Sequence, residues 1–171
     1  MEPVIRQPDR DDADAMGHVH VRAWQGAYRS IMPDDYLDGL RAEDRASMWR
    51  RQIDATGGGG LLIVAINGGV VGFAAFGRCH DDGASPEEGQ LYAINLDPAH
   101  WAKGLGRLLL RAVTDELVRQ GFKSLVLWVV PDNTRARRLY ESEGWTVDGV
   151  SRDEEVLGVV VTEVRYRLHL T

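Results

Sequence analysis

Apolar residues that recur every three or four positions predict the helices of this chain. The clearest helix begins at Gly104 and ends at Gly121, and one apolar stripe would face a core. That stripe comprises Leu105, Leu108, Leu109, Ala112, Val113 and Leu117. Near the start of the chain, Asp9 or Asp11 caps a helix with alanine or valine at every fourth position. The other predicted helices are a short one after Pro33, one near residues 42–53 and one at residues 133–143.

Shorter apolar runs predict β-strands. Residues 61–66 and 70–78 flank an Asn-Gly pair at 67–68, which favours a tight turn and therefore a hairpin. Residues 124–130 are almost continuously apolar, as expected of a strand at the centre of a sheet with both faces covered. The other predicted strands lie at residues 3–7, 90–97, 145–150 and 159–170.

These elements predict an α/β fold with one domain spanning residues 1–171. Its centre would be a mixed β-sheet of about six to seven strands, flanked by helices on both faces. A chain of 171 residues has the length of one domain and can bury roughly 70% of its unfolded surface. The sequence contains no internal repeat, low-complexity tract or interdomain linker.

The amino-acid composition argues against several classes of binding partner. Hydrophobic residues make up 44% of the chain, yet no apolar run approaches the ~20 residues needed to cross a bilayer, which argues against a membrane partner. The polar N-terminal stretch has no signal core, and Cys79 is the single cysteine, so we expect a cytoplasmic protein. The net charge of −6, with dispersed basic residues, argues against nucleic acid and mildly favours a cationic ligand.

The segment that leads into the helix at Gly104 can bind phosphate. The first N–H groups of a helix have no intrahelical partner and lie at the positive end of its dipole. Gly104 and Gly106 let a diphosphate approach the backbone, and Lys103 and Arg107 can add positive charge. The spacing is neither the dinucleotide fingerprint nor a Walker A loop. Taken alone, an ordinary glycine turn explains it equally well.

A second motif follows the predicted strand at 124–130. It has the spacing Asn-x-x-Ala-x-x-x-Tyr from Asn133 to Tyr140, and then Gly144-Trp145. Together with the strand, turn and Gly-x-Gly helix before it, this pattern closely resembles the GNAT N-acetyltransferase superfamily. The first motif is similar to the family's motif A and the second to its motif B. The resemblance covers residues 61–145 well and both ends more loosely.

The resemblance implies a GNAT-like acyl-CoA N-acyltransferase domain with acetyl-CoA as co-substrate and no metal. The pantetheine would lie in a V-shaped gap between two parallel strands, where Ile94 and Leu96 would pair with its amides through their backbone. Asn133 would hydrogen-bond the pantetheine arm. Tyr140 would face the sulfur and donate a proton to the departing thiolate. The diphosphate would be held by the backbone amides of Ala102, Lys103, Gly104, Leu105, Gly106 and Arg107.

Three positions depart from the family pattern. Trp101 stands where Gln or Arg is usual, and Ala102 where glycine is frequent. Relatives often carry a carboxylate at the position of Gln90, which cannot ionise, so the general base is open. The nearby candidates are Glu87, Glu88 and Tyr92, the last of which would work through water, and His20 and His80 are further candidates. For each of them a solvated or packed structural residue is the commoner explanation.

Aromatic residues predict where an acceptor would bind. Trp24 and Tyr28, with Tyr36, can line a wall against the carbon chain or the cation of an amine, although such residues more often belong to a core. We expect an N-acetyltransferase that acts on a primary amine of a small molecule by direct attack in a ternary complex. The alternatives are a protein N-terminal or lysine acetyltransferase and, in another class, a non-catalytic acyl-CoA-binding module. The sequence leaves open whether the chain forms a homodimer.

Overall fold

The computed structural model describes residues 2–156 and 158–170, and within them the chain forms seven strands and five α-helices. The strands are β1 Val4–Arg6, β2 Leu61–Ile66, β3 Gly69–Arg78, β4 Glu88–Leu96, β5 Ser124–Val129, β6 Thr146–Val156 and β7 Val159–His169. The helices are α1 Ala13–Tyr28, α2 Asp34–Asp38, α3 Ala42–Thr56, α4 Leu105–Arg119 and α5 Thr134–Ser142. The strand order is β1-β2-β3-β4-β5-β7-β6 in a mixed sheet, which confirms the predicted fold class. No described helix is both long and apolar enough to span a membrane.

The predicted hairpin turn is confirmed in detail, and the predicted helix cap in part. Asn67 and Gly68 between β2 and β3 both have positive φ, at 54° and 80°, as a two-residue type I′ hairpin turn requires. Asp9 does cap a helical segment, but this is a 3₁₀ turn at Arg10–Asp12, where its side chain accepts a hydrogen bond from the N–H of Asp11. Asp12 completes a capping box by accepting from the N–H of Asp9 at 2.8 Å. The helix α1 itself begins after Asp12, whose side chain makes no cap hydrogen bond, so neither Asp9 nor Asp11 caps it as predicted.

The first compact unit, called unit 1 below, contains residues 2–76 and 93–114. Its core joins side chains of α1 and α3 with those of β2 and β3, and apolar burial of this kind is the main source of folding stability. The buried members are Ala13, Met16, Val19, Trp49, Ile53, Leu61, Ile63, Phe73 and Ala75. Gly17 lets α1 approach α3 closely, because a Cβ there would lie 2.5 Å from the carbonyl oxygen of Ala42.

The second compact unit, called unit 2 below, contains the described residues of 77–92 and 115–170. The N-terminal half of β4 pairs with β5 in parallel, from Glu88 opposite Ser124 to Leu91 opposite Leu127. β5 then pairs antiparallel with β7, and β7 with β6. Residues 125–127 of β5 are buried, as the apolar run predicts.

The predicted boundary of β6 was wrong. The strand continues six residues past the predicted end at 150, through Ser-Arg-Asp-Glu-Glu-Val, because β7 pairs with it over this length. Arg152 forms an ion pair with Glu163 at 3.1 Å, and Thr162 donates a hydrogen bond to Asp153 at 2.7 Å. Cross-strand pairs of this kind stabilise a charged strand that has no apolar alternation of its own.

Candidate active site

The connection from β4 to α4 in unit 1 is held at several points. Asp97 caps a 3₁₀ turn by accepting the N–H of Ala99 at 3.1 Å, and its other carboxylate oxygen lies 2.7 Å from a guanidinium nitrogen of Arg22 on α1. The indole N–H of Trp101 donates to the carbonyl of Leu96 at 2.9 Å. The chain between β4 and α4 is therefore fixed to the end of its own strand and to α1.

Trp101 also packs beside α1 at Gly26. A Cβ at position 26 would lie 2.9 Å from Cη2 of Trp101 and 2.8 Å from Cγ of Pro98, so only glycine admits this contact. Trp101, which stands where the family usually has Gln or Arg, thus holds the loop beside α1. No local sequence pattern indicates this contact, because Gly26 and Trp101 lie 75 positions apart.

The loop before α4 has the backbone that the predicted diphosphate site needs. Ala102 has φ of 58° and Gly104 of 82°, and both residues are exposed. The N–H of Leu108 bonds to the carbonyl of Gly104 at 3.1 Å, the first bond of the helix, so the amides of residues 104–107 have no partner within it. No atom lies within 4 Å of the place where a Cβ at Gly104 would stand. These amides therefore fit a diphosphate, and the six predicted residues lie consecutively at one helix start.

Ala102→Gly should stabilise the protein. A left-handed φ costs a non-glycine residue about 1–2 kcal/mol, and the greater freedom of glycine in the unfolded chain offsets about 0.4–1 kcal/mol of the relief. We expect a net gain of about 0.5–1 kcal/mol in the free energy of unfolding, measured by urea denaturation. Ala99→Gly, in the 3₁₀ turn nearby, is the matched control and should lose stability. Equal losses in both variants would contradict the prediction.

The two predicted residues of the second motif lie in unit 2. Asn133 is the N-cap of α5, and its Oδ1 accepts the N–H of Ala136 at 3.3 Å. A ligand would therefore meet the amide N–H groups of this side chain. Tyr140 is buried near the end of α5, with its ring centroid 6.3 Å from that of Trp145 and 6.1 Å from that of Tyr166.

The candidate bases on β4 have partners that limit them. Glu88 is buried and forms an ion pair with Arg167, so accepting a proton would disrupt that pair. Gln90 is buried and accepts the backbone N–H of His80 at 3.2 Å. The hydroxyl of Tyr92 donates to the carbonyl of Arg78 at 2.5 Å. Burial is the main cause that raises the pKa of Tyr92, so its phenol stays protonated at neutral pH.

His80 is the remaining candidate in this part of unit 2. Its ring is exposed and stacks on that of Tyr92, with centroids 5.4 Å apart and an interplanar angle of 13°. Its Nε2 lies 3.1 Å from the hydroxyl oxygen of Tyr92. Glu87, the other candidate of this segment, is exposed before β4.

His20 and the predicted acceptor residues lie in unit 1. The indole of Trp49 donates to Nδ1 of His20 at 3.1 Å, and the rings of Trp24 and Trp49 lie 5.8 Å from the imidazole. Burial, together with the charge of Arg45, lowers the pKa of His20 to about 4. His20 is therefore a neutral core residue at physiological pH. Trp24 and Tyr28 pack against each other at 4.9 Å, and both remain half-buried.

His20 should make stability depend on pH. Its folded pKa of about 4 is below the 6.5 of an unfolded histidine, so the unfolded state binds more protons between these values. Stability therefore falls as pH drops from 6.5 to 4, by about 3 kcal/mol from this group. His20→Asn, which can still accept from Trp49, should lack that part of the decline in urea unfolding. His18→Asn, at an exposed position of α1, should keep it, and equal pH slopes in all three proteins would refute the assignment.

An ion-pair network lies on the strands of unit 2 and was missed by the sequence analysis. It centres on Asp148, which sits in a bulge of β6 and accepts from Arg165 at 2.7 Å and from Arg167 at 3.3 Å. The other members are Asp81, Glu88, Arg152 and Glu163. The alternation of Arg165 and Arg167 on β7 was the sequence signal that could have indicated this network. Among the described residues no three His, Cys, Asp or Glu side chains group as a metal site.

Comparison with known proteins agrees with this geometry. Residues 21–145 match the model of the acetyltransferase (GNAT) family. Over 163 residues the chain is 30% identical to the uncharacterized N-acetyltransferase YuaI of Bacillus subtilis (strain 168), covering 94% of this chain and 89% of that protein. Over 138 residues it is 33% identical to a mycothiol acetyltransferase of Acidimicrobium ferrooxidans, covering 81% of this chain but only 41% of that relative.

Among solved structures, the yncA protein of Salmonella typhimurium, crystallised with its cofactor acetyl-CoA, has a TM-score of 0.74 and 26% identity. The similarity covers 100% of this chain and 95% of that one. The segment matched by the family model runs from α1 through the loop before α4 to Trp145, and so includes both motifs.

Proposed function

This chain belongs to the GNAT acetyltransferase family, and we propose that it transfers the acetyl group of acetyl-CoA to a primary amine of a small molecule. The observation that carries the proposal is the exposed start of α4, where successive amides follow two residues of positive φ. The yncA protein, which has acetyl-CoA as its cofactor, supports the choice of donor. The mycothiol acetyltransferase supports a small-molecule acceptor, although this chain spans less than half of that relative.

The backbone amides of residues 102–107 would hold the diphosphate, helped by the dipole of α4. Lys103 is exposed in the loop and Arg107 in the first turn of the helix, where their charges would face an anion. Ile94 and Leu96 would offer backbone groups to the pantetheine amides, and Asn133 its side-chain N–H groups. When bound, acetyl-CoA supplies the acetyl group in activated form, as a thioester.

The protein's own residues would then accept and donate the protons of the reaction. An amine with a pKa near the ~10.4 of lysine is mostly ammonium at neutral pH, so a base must first remove a proton. The N–H near Ile94 would stabilise negative charge on the carbonyl oxygen. Tyr140 would donate its hydroxyl proton to the leaving sulfur. Glu88 and Tyr92 are less suited to the part of the base, because of the partners described above.

The acceptor would lie against the aromatic residues of unit 1. Trp24 and Tyr28 form a half-buried aromatic pair, which suits the carbon chain of an amine or its cation. The hydroxyl of Tyr36 is buried without a hydrogen-bond partner in the described part of the chain, and a polar group of the acceptor could satisfy it. We further propose that residues 1–171 act as one acyl-CoA N-acyltransferase domain in the cytoplasm.

The test combines binding and transfer. Coenzyme A at a hundredfold excess over its Kd should stabilise the fold by roughly 2.7 kcal/mol, seen as a rise in Tm, whereas NAD should have no effect. Incubation with acetyl-CoA and a panel of small amines should release free thiol. A panel of peptides with free N-termini or lysines provides the arm for the protein-acetyltransferase alternative. Absence of a Tm shift would refute the cofactor, and a shift without transfer to any amine or peptide would indicate a non-catalytic binding module.

A further inference from the structure

The identity of the general base follows from the side chains that surround Tyr92. We propose that His80 takes the proton from the acceptor amine, and that Tyr92 and Gln90 position it for this step. The inference rests on the proposed function, since it assigns a role within the same reaction. It assigns to a loop histidine the task that relatives often give to a strand carboxylate.

The hydrogen bonds of Tyr92 determine which nitrogen of His80 can act. Its hydroxyl has a single proton, which is donated to the carbonyl of Arg78 at 2.5 Å. The hydroxyl oxygen can therefore only accept from Nε2 of His80, 3.1 Å away, so Nε2 carries the ring proton. Nδ1 of the neutral ring then has its lone pair available. No residue of 2–156 or 158–170 provides Nδ1 with a hydrogen-bond partner.

Gln90 accounts for the missing carboxylate. It stands where relatives often carry the base, and its Oε1 accepts the backbone N–H of His80 at 3.2 Å. Gln90 thus anchors the segment that carries the imidazole, while the stacked ring of Tyr92 fixes the orientation of the imidazole plane. A carboxylate at position 90 would act on the amine itself. The amide of Gln90 cannot take a proton from the amine, but it holds His80, which can.

His80 is linked through Tyr92 to the strand whose later residues are proposed to bind the pantetheine. Tyr92 precedes Ile94 by two residues, so their side chains share a face and are separated by roughly 7 Å along the strand. Ile94 is the residue whose backbone is proposed to meet the thioester. A base held on Tyr92 would thus belong to the strand that is proposed to bind the thioester, and it would take the proton of the amine directly or through one water. The exposed ring can then pass its proton to solvent.

The proton and bond changes balance. Nδ1 of His80 receives one proton from the ammonium, and the freed nitrogen lone pair forms the C–N bond as the C–S bond breaks. The leaving sulfur takes a proton from Tyr140, which recovers it from the second N–H of the attacking amine through solvent. His80 returns to neutral by losing its proton to water. The products are one amide, one thiol and one released proton.

The other ionisable groups near His80 are less suited to accept the proton of the amine. Burial is the main cause that raises the pKa of both the Tyr92 phenol and the Cys79 thiol, so both stay protonated at neutral pH. Asp81 is ion-paired with Arg165 at 3.2 Å. The carbonyl of Arg78 accepts the hydroxyl proton of Tyr92, and the charge of Arg78 also acts on the phenol. Histidine ordinarily changes charge between pH 5 and 8, so loss of the base should be visible as a lost acid limb in a pH profile.

The test compares His80→Gln with His18→Gln, an exposed histidine of α1 outside the site. His80→Gln should lower kcat/KM about 10²-fold, the low end for general base catalysis, and lose the fall of activity toward acid pH. Its Tm shift with coenzyme A should equal that of the wild type. Tyr92→Phe should lower kcat/KM about tenfold but keep the acid limb, since it frees the ring without removing it. His18→Gln should match the wild type throughout.

A second measurement does not depend on turnover. Nitrogen-15 NMR of the histidine rings should show neutral His80 protonated at Nε2 in the wild type and losing that preference in Tyr92→Phe. Protonation at Nδ1, or a His80→Gln profile within twofold of the wild type when chemistry limits the rate, would overturn the inference. A wild type that transfers acetyl while His80→Gln is unaffected overturns this inference alone. A wild type that transfers to no amine overturns the proposed function, and this inference with it.

Discussion

Gly104→Val should abolish the binding of coenzyme A in a protein that still folds. The residue precedes the first turn of α4 with φ of 82°, and the space where its Cβ would stand is open. A branched side chain there would occupy the volume that the diphosphate needs to reach the amides. The Tm shift with coenzyme A should disappear, and titration calorimetry should find binding weakened at least a hundredfold. Gly106→Val, in the first helical turn, should have the same effect on binding.

Gly68→Val provides the matched control. Gly68 has φ of 80° and equally open space around its missing Cβ, but it lies in the turn between β2 and β3. Both variants should lose a similar amount of stability, on the order of 1–2 kcal/mol from left-handed strain. Only Gly104→Val should also lose coenzyme A. If Gly104→Val bound coenzyme A as tightly as the wild type, the phosphate site would have to lie elsewhere.

Tyr140→Phe should lower kcat about tenfold to a hundredfold with little change in the affinity for acetyl-CoA. General acid catalysis typically contributes ~10²–10⁴-fold, but a thiol with a pKa of ~8.5 already leaves well as its anion, so the low end applies. Steady-state kinetics, with single-turnover experiments to show that chemistry limits the rate, would measure the change. A kcat within twofold of the wild type would reject the role.

Leaving-group dependence separates a proton donor from a packed ring. The defect of Tyr140→Phe should shrink with acyl donors whose thiols are more acidic, because a good leaving anion needs less help from a proton. Loss of packing would instead appear chiefly in binding. Tyr166→Phe is the control in unit 2: its hydroxyl donates to Glu141 and accepts from Arg137, both at 2.8 Å. Its removal should cost stability without any such dependence.

Elements whose pattern is local could be predicted from the sequence. The hairpin at Asn67 and Gly68, the stripe of α4 and the apolar β5 each depend on neighbours within a few residues. The structure confirms the hairpin and β5, and it buries Leu105, Leu109, Val113 and Leu117 of the stripe. Leu108, predicted to face the core, is exposed instead, because it lies at the edge of the stripe. The turn before α4 could also be predicted, because the glycines and the start of the helix are local features of the sequence. The sequence also predicts that Asn133 begins the helix at residues 133–143, and Asn133 caps α5 in the structure.

Features that depend on distant partners could not be predicted. The second half of β6 is charged and forms a strand only because β7 pairs with it. The roles of Trp101 and His80 depend on Gly26 and on Gln90 with Tyr92, and no periodicity marks such contacts. Gln90 itself was noticed as a missing acid, but the partner that its amide holds is visible only in three dimensions.

The contact between Trp101 and Gly26 also restricts how this sequence could have evolved. With proline at 98 and tryptophan at 101, any side chain at position 26 would meet Cγ of Pro98 at 2.8 Å and the indole at 2.9 Å. Residues in contact are energetically coupled, so the effect of a substitution at one depends on the other. Glycine would therefore have had to be present at position 26 before Pro98 and Trp101 could pack there together, and reversal would have to proceed in the opposite order. Across homologues, positions 26 and 101 should change together.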